Sequence, residues 1–135
     1  MLVIDCSITM AWLFEDEKNH KTEQILNDVV ADTIAIVPPL WLLEVSNTLL
    51  VAENRKRVTP AQVSHFWKTL QALSIQFDHH VSYEQGESIL NLARVYQLTS
   101  YDAAYLNTAI KHHIPLATLD KKLLDSAKAC GVQIY

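Results

Sequence analysis

Glycine and cysteine are scarce in this chain. Its 135 residues include only two glycines, Gly86 and Gly131, so neither the three-glycine dinucleotide-binding fingerprint nor the phosphate-binding P-loop can be formed from this sequence. The two cysteines, Cys6 and Cys130, are too few for a four-thiolate zinc site or a scaffold of several disulfides. These shortages argue against nucleotide-cofactor enzymes of those types and indicate a reducing, cytoplasmic environment.

An excess of positive charge and long apolar runs are missing as well. Eleven Lys and Arg residues against fifteen Asp and Glu residues give a formal net charge of -4, which argues against strong non-specific attraction to phosphate backbones. The longest stretch without charge, from Thr33 to Leu43, is far shorter than the roughly 20 apolar residues of a membrane-spanning helix. Because 50% of the residues are apolar, we expect a single domain over residues 1–135, without a membrane segment.

Short apolar runs alternate with helix-compatible segments along the chain. The predicted strands comprise residues 2–4, 34–37, 74–77, 115–118 and 132–134. Between them lie helix-start signals: Thr59 followed by Pro60, Ser82 three residues before Gln85, and Ser100 ahead of an apolar segment. This alternation predicts an α/β architecture, an open and mostly parallel sheet with helices on both faces. Ligands of such sheets bind beyond the carboxyl ends of the strands.

Charged residues avoid three segments of the chain, and the few that occur there are acidic. The segments are residues 1–14, 33–52 and 95–110. Each contains a single charged residue, Asp5, Glu44 or Asp102, although 19% of the chain is charged. A carboxylate among apolar neighbours costs several kcal/mol to desolvate unless it is paired, hydrogen-bonded, protonated or bound to a metal. Each of these acids is therefore expected to have a partner.

A shared divalent cation is the partner that explains these acids together. Asp5 follows the first predicted strand and Asp120 follows the fourth, so both point into one crevice if those strands are neighbours. Glu44 lies one turn into the helix after the second strand, and Asp102 lies in the first turn of a later helix. Four oxygen donors without His or Cys suit Mg²⁺ or Mn²⁺ better than zinc. Taken singly, each acid also has a structural explanation, as a turn residue, a helix-dipole partner or half of an ion pair.

Four segments, in this order and spacing, resemble one known family. They are Val3-Ile4-Asp5-Cys6-Ser7, Glu44-Val45-Ser46-Asn47, Tyr101-Asp102-Ala103-Ala104-Tyr105 and Ala117-Thr118-Leu119-Asp120-Lys121-Lys122. Together they span nearly the whole chain and resemble the PIN-domain ribonucleases, above all the VapC-type toxins of type II toxin-antitoxin modules. The resemblance implies a three-layer α/β/α PIN-like fold with a five-stranded parallel sheet of order 3-2-1-4-5. It also implies a homodimer that a cognate antitoxin silences.

The same resemblance assigns the acids to chemistry. Asp5, Glu44 and Asp102 match the three core acids of the family, and Asp120 matches the fourth, more variable one. They are expected to hold Mg²⁺ or Mn²⁺ and to serve as the catalytic residues. The implied reaction is endonucleolytic cleavage of RNA, in which metal-activated water hydrolyses a phosphodiester bond.

Four further residues beside these acids are expected to support them. Ser7 and Thr118 match hydroxyl positions that in the family support the metal or its waters. Lys121 and Lys122, directly after the fourth acid, are the first candidates for steering RNA toward a site that otherwise repels it. The basic run at residues 55–57 is the second candidate, although cations at a helix carboxyl end also have an ordinary structural role.

Two other functions remain open from the sequence. A receiver-like regulatory module also binds Mg²⁺ through acids at strand ends, but it normally has an acidic pair after its first strand, where this chain has Asp5 followed by Cys6. A non-catalytic PIN-like scaffold that only binds proteins is the third possibility. The complete set of four acids argues against such a loss of activity.

Overall fold

Strands and helices alternate from the first residues of the chain onward. The computed structural model describes residues 1–80 and 82–135, and within them it has four strands and seven helices. The elements in chain order are β1 Leu2–Ile4, α1 Cys6–Ala11, α2 His20–Val30, β2 Ala35–Val37, α3 Leu40–Asn54, α4 Pro60–Ala72, β3 Ile75–Phe77, α5 Tyr83–Tyr96, α6 Ser100–His112, β4 Leu116–Ala117 and α7 Lys121–Ala129. This order confirms the predicted α/β class.

Local side-chain signals set the start of α4 and α5. The Thr59 hydroxyl accepts the N–H of Gln62 at 3.2 Å, while the Gln62 side chain accepts the N–H of Thr59 at 2.8 Å. Pro60 occupies the first helical position, where its missing N–H has no partner to lose. Ser82 caps α5 with its hydroxyl, which accepts the N–H of Gln85 at 3.2 Å. These helices therefore begin where the sequence predicts.

The predicted cap of α6 is wrong by one residue. Thr99, and not Ser100, has the extended backbone of a cap residue, with φ -66° and ψ 157°. Its hydroxyl accepts the N–H of Asp102 at 3.0 Å. Serine and threonine are both good cap residues, so the path of the chain into α6 decided between them.

The central strands β1 and β2 are covered on both faces. All pairings in the sheet are parallel, and the strand order is β3-β2-β1-β4. The residues of β1 and β2 are all buried, and alternate side chains of a strand point to opposite faces. Because both sets are buried, helices must cover both faces, and α6 covers one of them by packing on β1, β2 and β4.

The predicted fifth strand is reduced to a single bridge. Ile134 pairs in parallel with Leu116 of β4. The N–H of Leu116 donates to the carbonyl of Gln133 at 2.9 Å, and the carbonyl of Leu116 accepts the N–H of Tyr135 at 3.1 Å. β4 is two residues long, so its free edge offers the N–H and C=O of one residue and cannot support a longer ladder. The sheet has four strands in the order 3-2-1-4, and the expectation of five was wrong.

The parallel arrangement brings the carboxyl ends of the strands to one edge of the sheet. β1 and β4 are direct neighbours, with Ile4 paired to Ala117, so the residues that follow them meet in space. Along the described parts of the chain, residues 1–80 and 82–135, there is no helix whose length and apolar character would allow it to span a membrane.

Candidate active site

Asp5 is the central acid of the carboxyl edge. It follows β1 directly, and only 5% of its surface is exposed. Its Oδ1 accepts hydrogen bonds from the Ser7 hydroxyl at 2.6 Å and the N–H of Ile8 at 3.1 Å, and its Oδ2 accepts one from the Thr118 hydroxyl at 2.5 Å. Burial raises the pKa of the Asp5 carboxyl, and these hydrogen bonds oppose that rise without cancelling it.

Ser7 and Thr118 tie the segment after β4 to Asp5. The Ser7 oxygen that donates to Asp5 also accepts the N–H of Leu119 at 2.9 Å. The Thr118 oxygen that donates to Asp5 accepts the N–H of Asp120 at 2.9 Å. Both hydroxyls therefore use their donor on the carboxylate and an acceptor on the neighbouring backbone, which holds the two strand ends together.

Glu44 reaches the site from α3 and contacts α6. The hydroxyl of Tyr105 donates to Glu44 Oε2. Burial raises the pKa of the Glu44 carboxyl; the negative charges of Asp102 and Asp5 raise it further, against the effect of the Tyr105 hydrogen bond. The carboxylates of Asp5, at the end of β1, and Asp102, on α6, thus both lie within electrostatic range of Glu44 on α3.

Asp102 and Asp120 also have local roles at helix starts. Asp102 Oδ2 accepts the hydroxyl of Thr99 at 2.9 Å in the first turn of α6. Asp120 Oδ1 accepts the N–H of Leu123 at 2.7 Å and so caps α7. Asp120 therefore has a structural role, helix capping, that differs from the turn role considered from the sequence. Its backbone nevertheless joins the Asp5 cluster through Thr118.

A protein cation neutralises none of these four acids in the part of the chain that the structure describes. The ion pairs found there join Lys18 to Glu15, Arg57 to Asp16 and Glu17, and Lys111 and His112 to Asp78. In the same part of the chain no three His, Cys, Asp or Glu side chains lie close enough together to hold a metal ion. The acids thus share a region of negative charge without meeting at ligand distance.

The chemistry of the donors fits a hard divalent cation. All four acids offer carboxylate oxygens, which Mg²⁺ and Mn²⁺ prefer, and a positive ion would offset both the burial and the repulsion from Asp102 and Asp5 that raise the pKa of Glu44. Coordination of one ion by several of these groups requires their side chains to move closer together, because they are apart in the structure.

The Cys6 thiol lies beside this cluster but is suited only to packing. Its sulfur is 3.7 Å from the Thr48 hydroxyl. Burial raises the pKa of the Cys6 thiol to about 12, and the negative charges of Glu44 and Asp5 contribute to the rise. Because the thiolate is the nucleophile in cysteine chemistry, a thiol that stays protonated at neutral pH is not one.

The candidate RNA-steering residues differ in their surroundings. Lys121 and Lys122 are exposed in the first turn of α7, next to the capping Asp120. Arg57 instead contacts Asp16 at 2.9 Å and Glu17 at 3.5 Å. The charge of Arg57 is therefore already partly neutralised within the protein, whereas Arg55 and Lys56 are exposed like the α7 lysines.

Sequence reasoning missed one buried acid, Asp78. It follows β3 directly, is 5% exposed, and receives hydrogen bonds from the Lys111 ammonium group at 2.8 Å to each oxygen. His112 Nε2 lies 3.5 Å from the same carboxylate. The rule that singled out Asp5, an acid directly after a strand, applies equally to Asp78. Tyr105 was also missed, since nothing in the sequence links it to Glu44 across 61 positions.

Several solved structures share this fold. The protein PAE2754 from Pyrobaculum aerophilum superimposes with a TM-score of 0.72 and 22% identity, covering 93% of this chain and 83% of its own. FitAcB from Neisseria gonorrhoeae gives 0.67 and 14%, covering 100% and 96%. A toxin-antitoxin complex from Klebsiella pneumoniae gives 0.60 and 20%, covering 90% and 88%.

At these identities, the structural likeness shows a shared fold and nothing more about function. No curated protein matches the sequence. The family model for the PIN domain matches residues 2–129, from β1 to the end of α7. That range includes Asp5, Glu44, Asp102 and Asp120. The chain therefore belongs to the PIN domain family.

Proposed function

We propose that this protein is a metal-dependent endoribonuclease and the toxin of a toxin-antitoxin pair. The observation that carries the proposal is the group of carboxylates on Asp5, Glu44 and Asp102. They come from three separate elements of a PIN domain, and no protein cation neutralises them within residues 1–80 and 82–135. A protein rarely keeps such a repulsive arrangement without a ligand that compensates for it.

Asp5, Glu44 and Asp102 are the proposed metal ligands, with Asp120 as a fourth ligand or a water-orienting group. A bound Mg²⁺ or Mn²⁺ supplies the means to activate water and to neutralise charge on the phosphate. Ser7 and Thr118 keep the Asp5 carboxylate oriented through their hydrogen bonds. Because the acids are held by hydroxyl and amide donors and not by ammonium groups, their negative charge stays available to a ligand.

Water as the attacking group determines the products. Hydrolysis leaves a 5'-phosphate and a 3'-hydroxyl, whereas attack by the RNA's own 2'-hydroxyl leaves a cyclic phosphate. The PIN family match favours this nuclease over the receiver-like module, and a non-catalytic scaffold becomes one of the outcomes of the test below.

Lys121 and Lys122 are proposed to guide the RNA strand. Both occupy the first turn of α7, where a positive charge opposes the helix dipole by a few tenths of a kcal/mol. Their position next to Asp120 gives them a use that offsets this cost, since RNA phosphates need a cation near an acidic site.

A cognate antitoxin and a second copy of the chain are the proposed protein partners. A neighbour of the same fold is a toxin-antitoxin complex. Leu42, Leu43, Leu50 and Val51 are exposed on α3, and such apolar side chains on one helix suit contact with another protein. Since RNA is the proposed substrate and both cysteines are free, we place the protein in the cytoplasm.

The deciding experiment is cleavage of structured RNAs by the purified protein. Activity is expected with Mg²⁺ or Mn²⁺ and should disappear with a chelator and in the Asp5→Asn variant, whose fold is checked by circular dichroism. Sequencing of the product ends should give 5'-phosphates. Activity that survives both treatments contradicts the proposal, and a folded, metal-binding protein without activity on any RNA supports the scaffold alternative.

A further inference from the structure

Tyr105 is the one phenol that reaches into the carboxylate group in the described parts of the chain. It lies three residues after Asp102 on α6, a spacing that places both side chains on the same face of a helix. The residue is 1% exposed, so its hydroxyl has no access to bulk water. The partner it finds is Glu44 Oε2, on a different helix.

We propose that Tyr105 is a positioning residue for Glu44: it holds one carboxylate oxygen, Oε2, and would leave the other, Oε1, free for a metal ion. This inference rests on the proposed function above and adds a specific residue to it. The proposed role of Tyr105 involves no contact with metal or RNA, because the residue acts only through Glu44.

The count of hydrogen bonds on the carboxylates supports this arrangement. A carboxylate oxygen accepts about two hydrogen bonds or metal contacts. Asp5 Oδ1 already has two donors, the Ser7 hydroxyl and the N–H of Ile8, and Oδ2 has one, the Thr118 hydroxyl. Glu44 Oε2 receives Tyr105, and no donor from residues 1–80 or 82–135 is bonded to Oε1. Glu44 therefore keeps one oxygen free of donors in that part of the chain, as Asp102 and Asp120 do, whereas both oxygens of Asp5 are already hydrogen-bonded.

A glutamate needs such a restraint more than an aspartate does. Its longer side chain has three rotatable bonds, and each freely rotating bond costs conformational entropy when a ligand fixes it. Asp5 is short and fixed by three hydrogen bonds, whereas the Glu44 carboxylate has one, from Tyr105. Removal of the phenol hydroxyl should therefore weaken metal binding through Glu44 and leave Asp5 in place.

The test is Tyr105→Phe, which removes only the hydroxyl, measured beside Tyr135→Phe. Tyr135 is the control because its hydroxyl also donates to a carboxylate, that of Asp28, at 2.8 Å. Tyr135 and Asp28 do not belong to the proposed site. The dissociation constant for Mn²⁺ is measured by calorimetry, and the RNA cleavage rate is followed as a function of Mn²⁺ concentration. Thermal unfolding of each variant reports any general loss of structure.

We expect Tyr105→Phe to raise the Mn²⁺ dissociation constant about tenfold or more, the size found when groups that orient metal ligands are removed. Saturating Mn²⁺ should restore most of the cleavage rate. Tyr135→Phe should leave the Mn²⁺ affinity at the wild-type value. Adding Tyr105→Phe to Glu44→Gln should change the affinity no further, since the phenol acts through Glu44.

The outcomes separate this inference from the proposed function. If the wild-type protein binds Mn²⁺ and cleaves RNA while Tyr105→Phe keeps the same affinity, Tyr105 is only a core residue and the inference is wrong. Equal weakening in Tyr105→Phe and Tyr135→Phe would overturn it as well, because the effect would then be one of stability. If the wild-type protein neither binds Mn²⁺ nor cleaves RNA, the proposed function itself fails.

Discussion

Asp5 and Asp78 form a natural pair for comparison. Each directly follows a parallel strand, β1 or β3, and each is 5% exposed. Asp78 is held by the ammonium group of Lys111 with His112 nearby. Asp5 is held only by hydroxyl and amide donors. The two acids therefore differ in the charge of their partners, and also in position, since β1 is central in the sheet and β3 lies at its edge.

The partners determine the sign of the pKa shift. Burial alone raises the pKa of Asp78, but the hydrogen bonds from Lys111 and His80 and the positive charge of Lys111 outweigh it, so the pKa lies below its usual range. At Asp5 burial prevails, and the pKa lies above the usual range. An acid paired with a protein cation is already neutralised, whereas the negative charge of an acid without such a partner stays available to a ligand.

The largest effect should appear when the two acids are neutralised in turn. Asp5→Asn is expected to lower the RNA cleavage rate at least about a hundredfold, because a metal ligand is lost. Asp78→Asn, which touches none of the proposed ligands, should keep the rate within about threefold of wild type. Initial rates at saturating Mn²⁺ measure both. Equal losses in the two variants would remove the functional distinction between these acids.

Stability should respond in the opposite order. Asp78→Asn is expected to lower the free energy of unfolding by about 2 kcal/mol, since it leaves the partly buried Lys111 without its charged partner. Urea denaturation in the presence of a chelator measures the change. Replacing Lys111 by Met in the same protein should restore part of the loss, because the unpaired charge is then removed as well. An unchanged urea midpoint in Asp78→Asn would show that the ion pair of Asp78 and Lys111 contributes nothing to stability.

The stabilisation that metal gives should also distinguish Asp5 from Asp78, by a somewhat smaller free energy than the loss expected for Asp78→Asn. Mn²⁺ at ten times its dissociation constant is expected to stabilise the folded protein by about 1.4 kcal/mol, because it binds the folded chain alone. Asp78→Asn should show the same gain, and Asp5→Asn should lose most of it. Thermal or urea unfolding with and without Mn²⁺ provides the measurement; stabilisation of Asp5→Asn equal to that of the wild type would place the metal elsewhere.

Acid should weaken the contribution of Asp78. Its pKa is lowered in the folded state, so its pairing stabilises the protein fully above its unfolded pKa of about 4, and this contribution is lost as the pH falls through the lower, folded value. The difference in unfolding free energy between wild type and Asp78→Asn should therefore shrink as the pH falls from 6 to 3. The raised pKa of Asp5 affects both proteins alike and cancels in this difference. A gap that widens on acidification would contradict the assignment.

Features that depend on residues close together in the sequence were predicted correctly, whereas some features that depend on distant elements were not. Caps such as Thr59 and Ser82 act within three residues, and both were predicted correctly. The choice between Thr99 and Ser100 depended on how α5 and α6 join, and the prediction there was wrong. The fifth strand was predicted from its apolar residues, yet its pairing depended on the length of β4, another element.

The site shows the same division. The strand order that the family resemblance implies makes β1 and β4 neighbours, so that their ends meet, and the Thr118 to Asp5 hydrogen bond confirms this. Asp78 also follows a strand directly. Its sequence neighbours, His79 and His80, do not indicate its partner, Lys111, which lies 33 positions away. Metal binding by the four acids stays a prediction.

The sequence by itself determined the elements, the parallel class of the sheet and the identity of the acids, because these follow from local propensities and from residue chemistry. Tertiary structure alone decided which acid received a cation. Lys111 reaches Asp78 and no lysine or arginine within residues 1–80 and 82–135 reaches Asp5, and that outcome depends on how α6 crosses the sheet. Charge compensation acts over a few ångströms in space, so it cannot be inferred from separations along the chain.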